Sequence, residues 1–123
     1  MKEATKRALE TDRLIDITTT GRRTGQPHRI EIGFHFKDEE LFITGTPGPR
    51  GWLANLAANS RFTIHLKQSL QVDLPAVATL VSSEARRREV FTEIAERRRG
   101  RQPLDVEAWV KDSPLVQVEL LPE

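Results

Sequence analysis

Two strand-like segments joined by a short cationic turn constrain this chain most. Ile30, Ile32, Phe34 and Phe36 alternate with Arg29, Glu31, Gly33 and His35. A period of two puts the apolar set on one face of a β-strand and the polar set on the other. Upstream, Ile17-Thr18-Thr19-Thr20 is β-branched throughout, and such stiff side chains favour an extended backbone. Between the two lies Gly21-Arg22-Arg23-Thr24-Gly25-Gln26-Pro27. Glycine permits conformations that turn amide N–H groups outward. Arginine adds a fixed fork of donors suited to phosphate or carboxylate. The segment reads as a hairpin whose connection carries anion-binding groups. A basic surface hairpin with solvated arginines is the alternative that the local pattern leaves open.

The rest of the chain extends the β pattern. Residues 2–12 are polar and helix-prone, with Ala4, Ala8 and Leu9 as an apolar edge, so a short, mobile N-terminal helix is expected. Strands are expected over 13–20, 29–36 and 41–46, with Lys37-Asp38-Glu39-Glu40 as a polar turn. A proline- and glycine-rich loop, Thr46 to Gly51, leads into a helix over 51–59 whose inner face is Trp52, Leu53, Leu56 and Ala57. Phe62, Ile64 and Leu66 mark a fourth strand, and residues 70–81 a fifth, with Pro75 signalling an edge or bulge. Ser82 or Ser83 caps a helix over 84–99 that buries Val90, Phe91, Ile94 and Ala95 and ends at Gly100. Residues 103–112 are helical or irregular, and 114–121 form the last strand. With no regular βαβ alternation, the order argues for a mainly β, mostly antiparallel barrel with attached helices, an α+β fold. No linker divides the chain, so residues 1–123 are expected to form one domain.

Composition narrows the function. The net charge of +1 supplies no global field for nucleic acid or an acidic membrane. The chain has no cysteine, which removes thiol redox chemistry and cysteine metal sites and fits a cytoplasmic protein. No apolar run is long enough to span a bilayer. There is also no tyrosine, so no phenol can serve as a proton donor.

Several segments, in order, resemble one family. Ile17 to Pro27 is similar to the Thr-Thr-Gly-Arg-(Lys or Arg)-(Ser or Thr)-Gly-Gln-Pro hairpin of the deazaflavin-dependent nitroreductases, a branch of the split β-barrel flavin and deazaflavin reductases. Leu41 to Thr46 resembles that family's next strand and cofactor loop. Gly51 to Arg61 resembles its Trp-x-x-Asn-Leu-x-x-Asn-Pro helix, and Pro114 to Leu120 its closing strand. The resemblance implies a split β-barrel of the FMN-binding type. It implies a bound deazaflavin, coenzyme F-420, with FMN as the alternative. It also implies hydride transfer to a small electrophile such as a nitroaromatic, a quinone or an enone. A homodimer is implied as well, since relatives often complete the pocket at a subunit interface. A non-catalytic cofactor carrier is the rival from another class, motivated by the missing tyrosines and a shortened loop.

Carried over residue by residue, the resemblance assigns cofactor contacts. Arg22 and Arg23 match the basic pair beside the cofactor's phosphate-bearing tail, and Thr24, Gly25, Gln26 and Pro27 follow. His28 stands where the family often has a further cation. Thr44, Gly45 and Thr46 match the segment along the ring and phosphate. The loop after them is shorter than the family's, and Arg50 is the substitute for its lysine. Trp52 is either a cofactor contact or a core residue, and Asn55 is read as structural, capping the loop or holding the hairpin.

Other features read as bland. His28, His35 and His65 lack metal-ligand spacing, and His35 and His65 are expected on the surface, on the polar faces of their strands. Arg86, Arg87, Arg88, Arg97, Arg98, Arg99 and Arg101 interleave with Glu84, Glu89, Glu93 and Glu96, as on a solvated helix face rather than a nucleic-acid site. No acid with an orienting base is evident, so water is the expected proton donor and no catalytic side chain is assigned.

Overall fold

The computed structural model describes residues 1–98 and 102–122. Arg99, Gly100 and Arg101, and with them the expected helix stop, lie outside the described residues. Among the described residues the chain forms helix α1 (Glu3–Thr11), strands β1 (Leu14–Thr20), β2 (Pro27–Lys37) and β3 (Glu40–Thr44), and helix α2 (Gly51–Ala58). Strands β4 (Arg61–Leu66) and β5 (Val72–Leu80), helices α3 (Glu84–Glu96) and α4 (Val106–Asp112), and strand β6 (Leu115–Leu120) follow.

The strands close into an antiparallel barrel in the order β1-β2-β3-β6-β5-β4, with β4 returning to β1. Closure leaves no unpaired strand edge. Alternation fills the interior: Ile15, Ile17 and Thr19 of β1 point inward, with Ile64 of β4 and Leu74, Ala76 and Ala78 of β5. Ala8 and Leu9 of α1 and Leu56 of α2 belong to the same core. A second, smaller core joins Phe42 of β3 and Leu115 of β6 to Val90 and Phe91 of α3 and Val110 of α4. Strand β3 is therefore buried on both faces, which is why Leu41-Phe42-Ile43 is an unbroken apolar run.

Local chemistry explains most boundaries. Lys37 pairs with Glu40 across a turn in which Asp38 and Glu39 both take positive φ, +52° and +64°. Two such residues make the turn that matches strand twist, although Asn-Gly would adopt it with less strain. Ser83 caps α3, its hydroxyl accepting from the Arg86 amide, and Asp105 caps α4 in the same way.

Two sequence expectations need correction here. Pro75 marks neither an edge nor a bulge: it sits in register opposite Thr63 inside a closed barrel. Its carbonyl accepts from Leu121, just past the end of β6, so its missing N–H falls where that ladder has run out. The inner side of α2 contains Asn55 beside Leu56, while Ala57 is exposed. That polar residue is buried because it holds the hairpin.

Candidate functional site

The connection from Thr20 to Pro27 closes on itself. The Gly21 amide donates to the Gln26 carbonyl at 2.8 Å, and the Gly25 amide to the Gly21 carbonyl at 2.9 Å. Gly25 has φ +74°, which a side chain would strain. At Gly21 a Cβ would stand 2.7 Å from the ring Nε2 of His28, so the histidine lies over a bare backbone.

Asn55 anchors this turn to the barrel. Its Oδ1 accepts from the Arg22 amide at 3.2 Å and from the Arg22 guanidinium at 3.0 Å. Its Nδ2 donates to the Thr19 hydroxyl at 3.1 Å. Asn55 is 6% exposed and Thr19 2%, so these bonds are shielded from water.

A cleft of about 480 Å³ opens beside the turn. Arg22, Arg23, Thr24 and His28 line one side of it, and Gly51, Trp52 and Asn55 of α2 the other, with Ile30 and Thr19 in its floor. Among the described residues no carboxylate lines it. Among the described residues Arg23 has no hydrogen-bond or ion-pair partner, and Arg22 bonds only to Asn55. Helix α2 starts here with no side-chain cap, so its first amides and the positive end of its dipole also face this region. Two guanidinium groups, a threonine hydroxyl and an uncapped helix start are all donors. Such a set suits a phosphate or carboxylate, and Trp52 and Ile30 add apolar wall for a ring. The residues present therefore fit the anionic tail and flat ring of a deazaflavin.

The other sequence-assigned residues fall elsewhere. Gly25 and Pro27 line a second cleft, of about 350 Å³, together with Thr18, Arg61 and Thr63. The Gln26 carbonyl belongs to the turn's own bonding. The Thr44 hydroxyl donates to the Pro114 carbonyl. The Arg50 guanidinium is spent on its own loop, donating to the Thr46 carbonyl and hydroxyl at 2.8 and 2.9 Å and to the carbonyls of Gly48 and Pro49. It also packs against Gly45. Thr44, Gly45, Thr46 and Arg50 thus make a self-contained loop outside both clefts. A larger concavity, about 730 Å³, is lined by Met1, Leu41, Leu74 and Val118 and contains none of the assigned residues.

The histidines and helix arginines differ from expectation. His35 and His65 are each 8% exposed, not surface residues. His35 Nε2 meets Glu93 Oε2 at 3.1 Å, bridging β2 to α3. Burial pushes its pKa below the ordinary value, with Glu93 only partly compensating. His65 lies between Asp73 and Thr18. Acid–orienter pairs thus exist, and sequence reasoning missed them because a partner across strands follows from register, which no local pattern shows. Nor is the α3 face simply solvated. Arg87 donates to the carbonyls of Val110, Val81, Trp109 and Ser113. Arg86 pairs with Glu40 and Glu89, and Arg88 with Glu84 and Glu107. Among the described residues no cluster of three or more His, Asp or Glu could hold a metal, and no helix is long and apolar enough to cross a membrane.

The family model for F420H(2)-dependent quinone reductase matches residues 2–103. No curated protein matches the chain. Among solved structures, a conserved hypothetical protein from Mycobacterium tuberculosis is 19% identical, with a TM-score of 0.74 over 99% of this chain and 82% of its own. An F420 reductase is 17% identical, with a TM-score of 0.71 over 99% and 97%. A FAD-binding protein from Mesorhizobium loti is 12% identical, with a TM-score of 0.66 over 99% and 91%. At these identities the structures establish the split-barrel fold and nothing finer.

Proposed function

The chain belongs to the F420H(2)-dependent quinone reductase family, the deazaflavin-dependent oxidoreductases, and from that premise we propose that the cleft beside the Gly21–Pro27 turn seats the coenzyme. Arg22 and Arg23 hold the anionic tail there, with the Thr24 hydroxyl and the start of α2 as further donors. Trp52 and Ile30 flank the ring. The acceptor is a quinone, or a nitroaromatic or enone of similar size and electron demand. When bound, the reduced deazaflavin supplies a hydride. The chain's own part is to bind, orient and shield. Gly25, Gln26 and Pro27 set the turn's shape, and His28 closes over Gly21. Thr44, Gly45, Thr46 and Arg50, in the segment that leads into α2, are the further contacts that the family resemblance assigns to the ligand.

The observation that carries this reading is a cationic cleft in which, among the described residues, Arg23 is unpaired and no carboxylate is in the lining. Absorbance and fluorescence titration of the purified protein with deazaflavin and with FMN tests it. The expected result is saturable binding of deazaflavin, weaker binding of FMN, and oxidation of the reduced form by quinones. Binding of FMN alone would overturn the cofactor assignment.

The working form is a homodimer in the cytoplasm. A compact monomer of 14.0 kDa exposes roughly 6,700 Å², whereas this chain exposes 7431 Å². Leu14 and Leu80 are among its exposed apolar residues. Light scattering at micromolar concentration is expected to give twice the chain mass, and a value of 14.0 kDa would contradict it.

A further inference from the structure

Three side chains on the outer face of the barrel form a continuous hydrogen-bonded line that the cofactor cleft does not use. Asp73 of β5 stands opposite His65 of β4. Its Oδ1 is 2.7 Å from His65 Nδ1. His65 Nε2 is in turn 2.7 Å from the Thr18 hydroxyl oxygen on β1. The Asp73 side chain is 74% exposed and that of His65 10%. One end of the line is therefore in solvent and its middle is buried. The other end, Thr18, lines the second cleft, with Gly25, Pro27, Arg61 and Thr63. Thr19 borders both clefts, so the line ends one residue from the wall of the cofactor site.

The partners dictate where protons sit. Ionised Asp73 only accepts, so His65 Nδ1 carries hydrogen and Nε2 faces the threonine. When the imidazole is protonated, Nε2–H donates to Thr18 Oγ1, and the threonine O–H is turned toward the cleft. The other charges near His65 are Asp16, its cross-strand neighbour on β1, with Lys67 of β4 and Arg29 of β2. Lys67 and Arg29 both bind Asp16, and Lys67 also binds Glu31. They form a separate network, which leaves Asp73 as the carboxylate that meets the ring.

We propose that Asp73, His65 and Thr18 are a proton relay completing reduction of the acceptor, whose reacting oxygen sits in the cleft lined by Thr18, Thr63 and Arg61. This rests on the reading of the chain as a deazaflavin-dependent reductase. Hydride addition to a quinone or enone leaves the transferred electron pair as negative charge on an acceptor oxygen. The Thr18 hydroxyl gives its proton to that oxygen, and Nε2–H of the imidazolium replaces it on Oγ1. One O–H bond forms on the acceptor and one N–H bond breaks on His65. The ring ends neutral, with Nδ1–H still on Asp73, and after the product leaves a solvent proton entering by the open cleft returns through Thr18 Oγ1 to Nε2. Thr18 is the catalytic residue, and His65 and Asp73 act through it. The relay supplies what a chain without tyrosine lacks.

Two measurements test it. In the cofactor-free protein, imidazole NMR is expected to show a downfield His65 Nδ1–H resonance that Asp73→Ala abolishes. In single-turnover reduction at saturating cofactor and quinone, Thr18→Val and His65→Gln are expected to slow proton-coupled reduction about a hundredfold, the usual worth of a positioned acid. Deazaflavin affinity should stay within about twofold, and Thr18→Ser, which keeps the hydroxyl, should retain the wild-type rate. Asp73→Asn should shift the pH profile of the step. Rates for Thr18→Val and Thr18→Ser that both match wild type, with the downfield resonance in place, would reduce the line to a strand staple and overturn the relay. Failure of the wild-type protein to bind deazaflavin or oxidise its reduced form would instead defeat the functional reading and the relay together.

Discussion

Arginines in two regions of this molecule behave in opposite ways. On α3, Arg86, Arg87 and Arg88 are consumed by the fold: Arg87 ties four carbonyls of the Val81 and α4 segments, and its neighbours pair with Glu40, Glu84, Glu89 and Glu107. In the Gly21–Pro27 turn, Arg22 meets only Asn55, and Arg23 meets nothing among the described residues. Arg50, beside α2, belongs to the first kind, since its guanidinium is folded back on its own loop. The lesson is that a cationic cluster says little until its acceptors are known. Where carbonyls and carboxylates already surround it, the charge holds structure. Where donors face an open cleft, the charge is available to a ligand.

The comparison breaks most visibly at Arg87. Arg87→Met leaves four carbonyls without their charged donor and is expected to cost about 3 kcal/mol or more in urea denaturation, with deazaflavin affinity unchanged. A loss below about 0.5 kcal/mol, the usual range for an exposed site, would mean that water serves those carbonyls and that α3 is the solvated face its sequence suggests.

Asn55 comes next, because it is where structure and site meet. Asn55→Ala removes bonds to Thr19 and Arg22 and is expected to cost roughly 2 kcal/mol of stability, and to weaken deazaflavin binding through a loosened turn. Loss of stability at wild-type affinity would show that the turn keeps its shape without Asn55.

The smallest effect concerns pH and again separates the two regions. Burial holds the His35 pKa below its ordinary value of 6.5, so the folded state prefers the neutral ring. That stability is present above about pH 6.5 and drains as the pH falls below it, because the unfolded chain takes up the proton first. Glu93 opposes its own desolvation by bonding to His35 and Lys37, and its carboxyl is held below the ordinary 4.5. Its share is lost at lower pH. Melting temperatures of wild type and His35→Gln are expected to converge between pH 6.5 and 5, and parallel curves there would remove His35 from the account.

Much of this was legible in the sequence, for identifiable reasons. The alternation Ile30, Ile32, Phe34, Phe36 and the β-branched run before Gly21 specify a hairpin locally, so its strands were readable to within a few residues. Ser83 capped α3 as its residue type suggests. Arg22, Arg23, Thr24, His28 and Trp52 were singled out from a motif, and they meet in one cleft. What stayed hidden depends on register and packing. That Asp73 stands opposite His65, or that Glu93 reaches His35, follows from which strand and helix lie side by side. Pro75 misled because closure of the barrel, not the residue, decides whether an edge exists. The bonding of Arg50 was not readable because its loop supplies its own acceptors.

The most direct measurement is a fluorescence titration of deazaflavin against Arg22→Ala, Arg23→Ala and Arg88→Ala, compared with wild type. The account predicts that each turn variant loses roughly 1.5–3 kcal/mol of binding, at least tenfold in affinity, while Arg23→Ala melts like wild type and Arg22→Ala, which also gives up its bond to Asn55, melts slightly lower. Arg88→Ala, whose guanidinium is paired with Glu84 and Glu107, is predicted to bind as wild type does. Equal affinities for the wild type and both turn variants would contradict it.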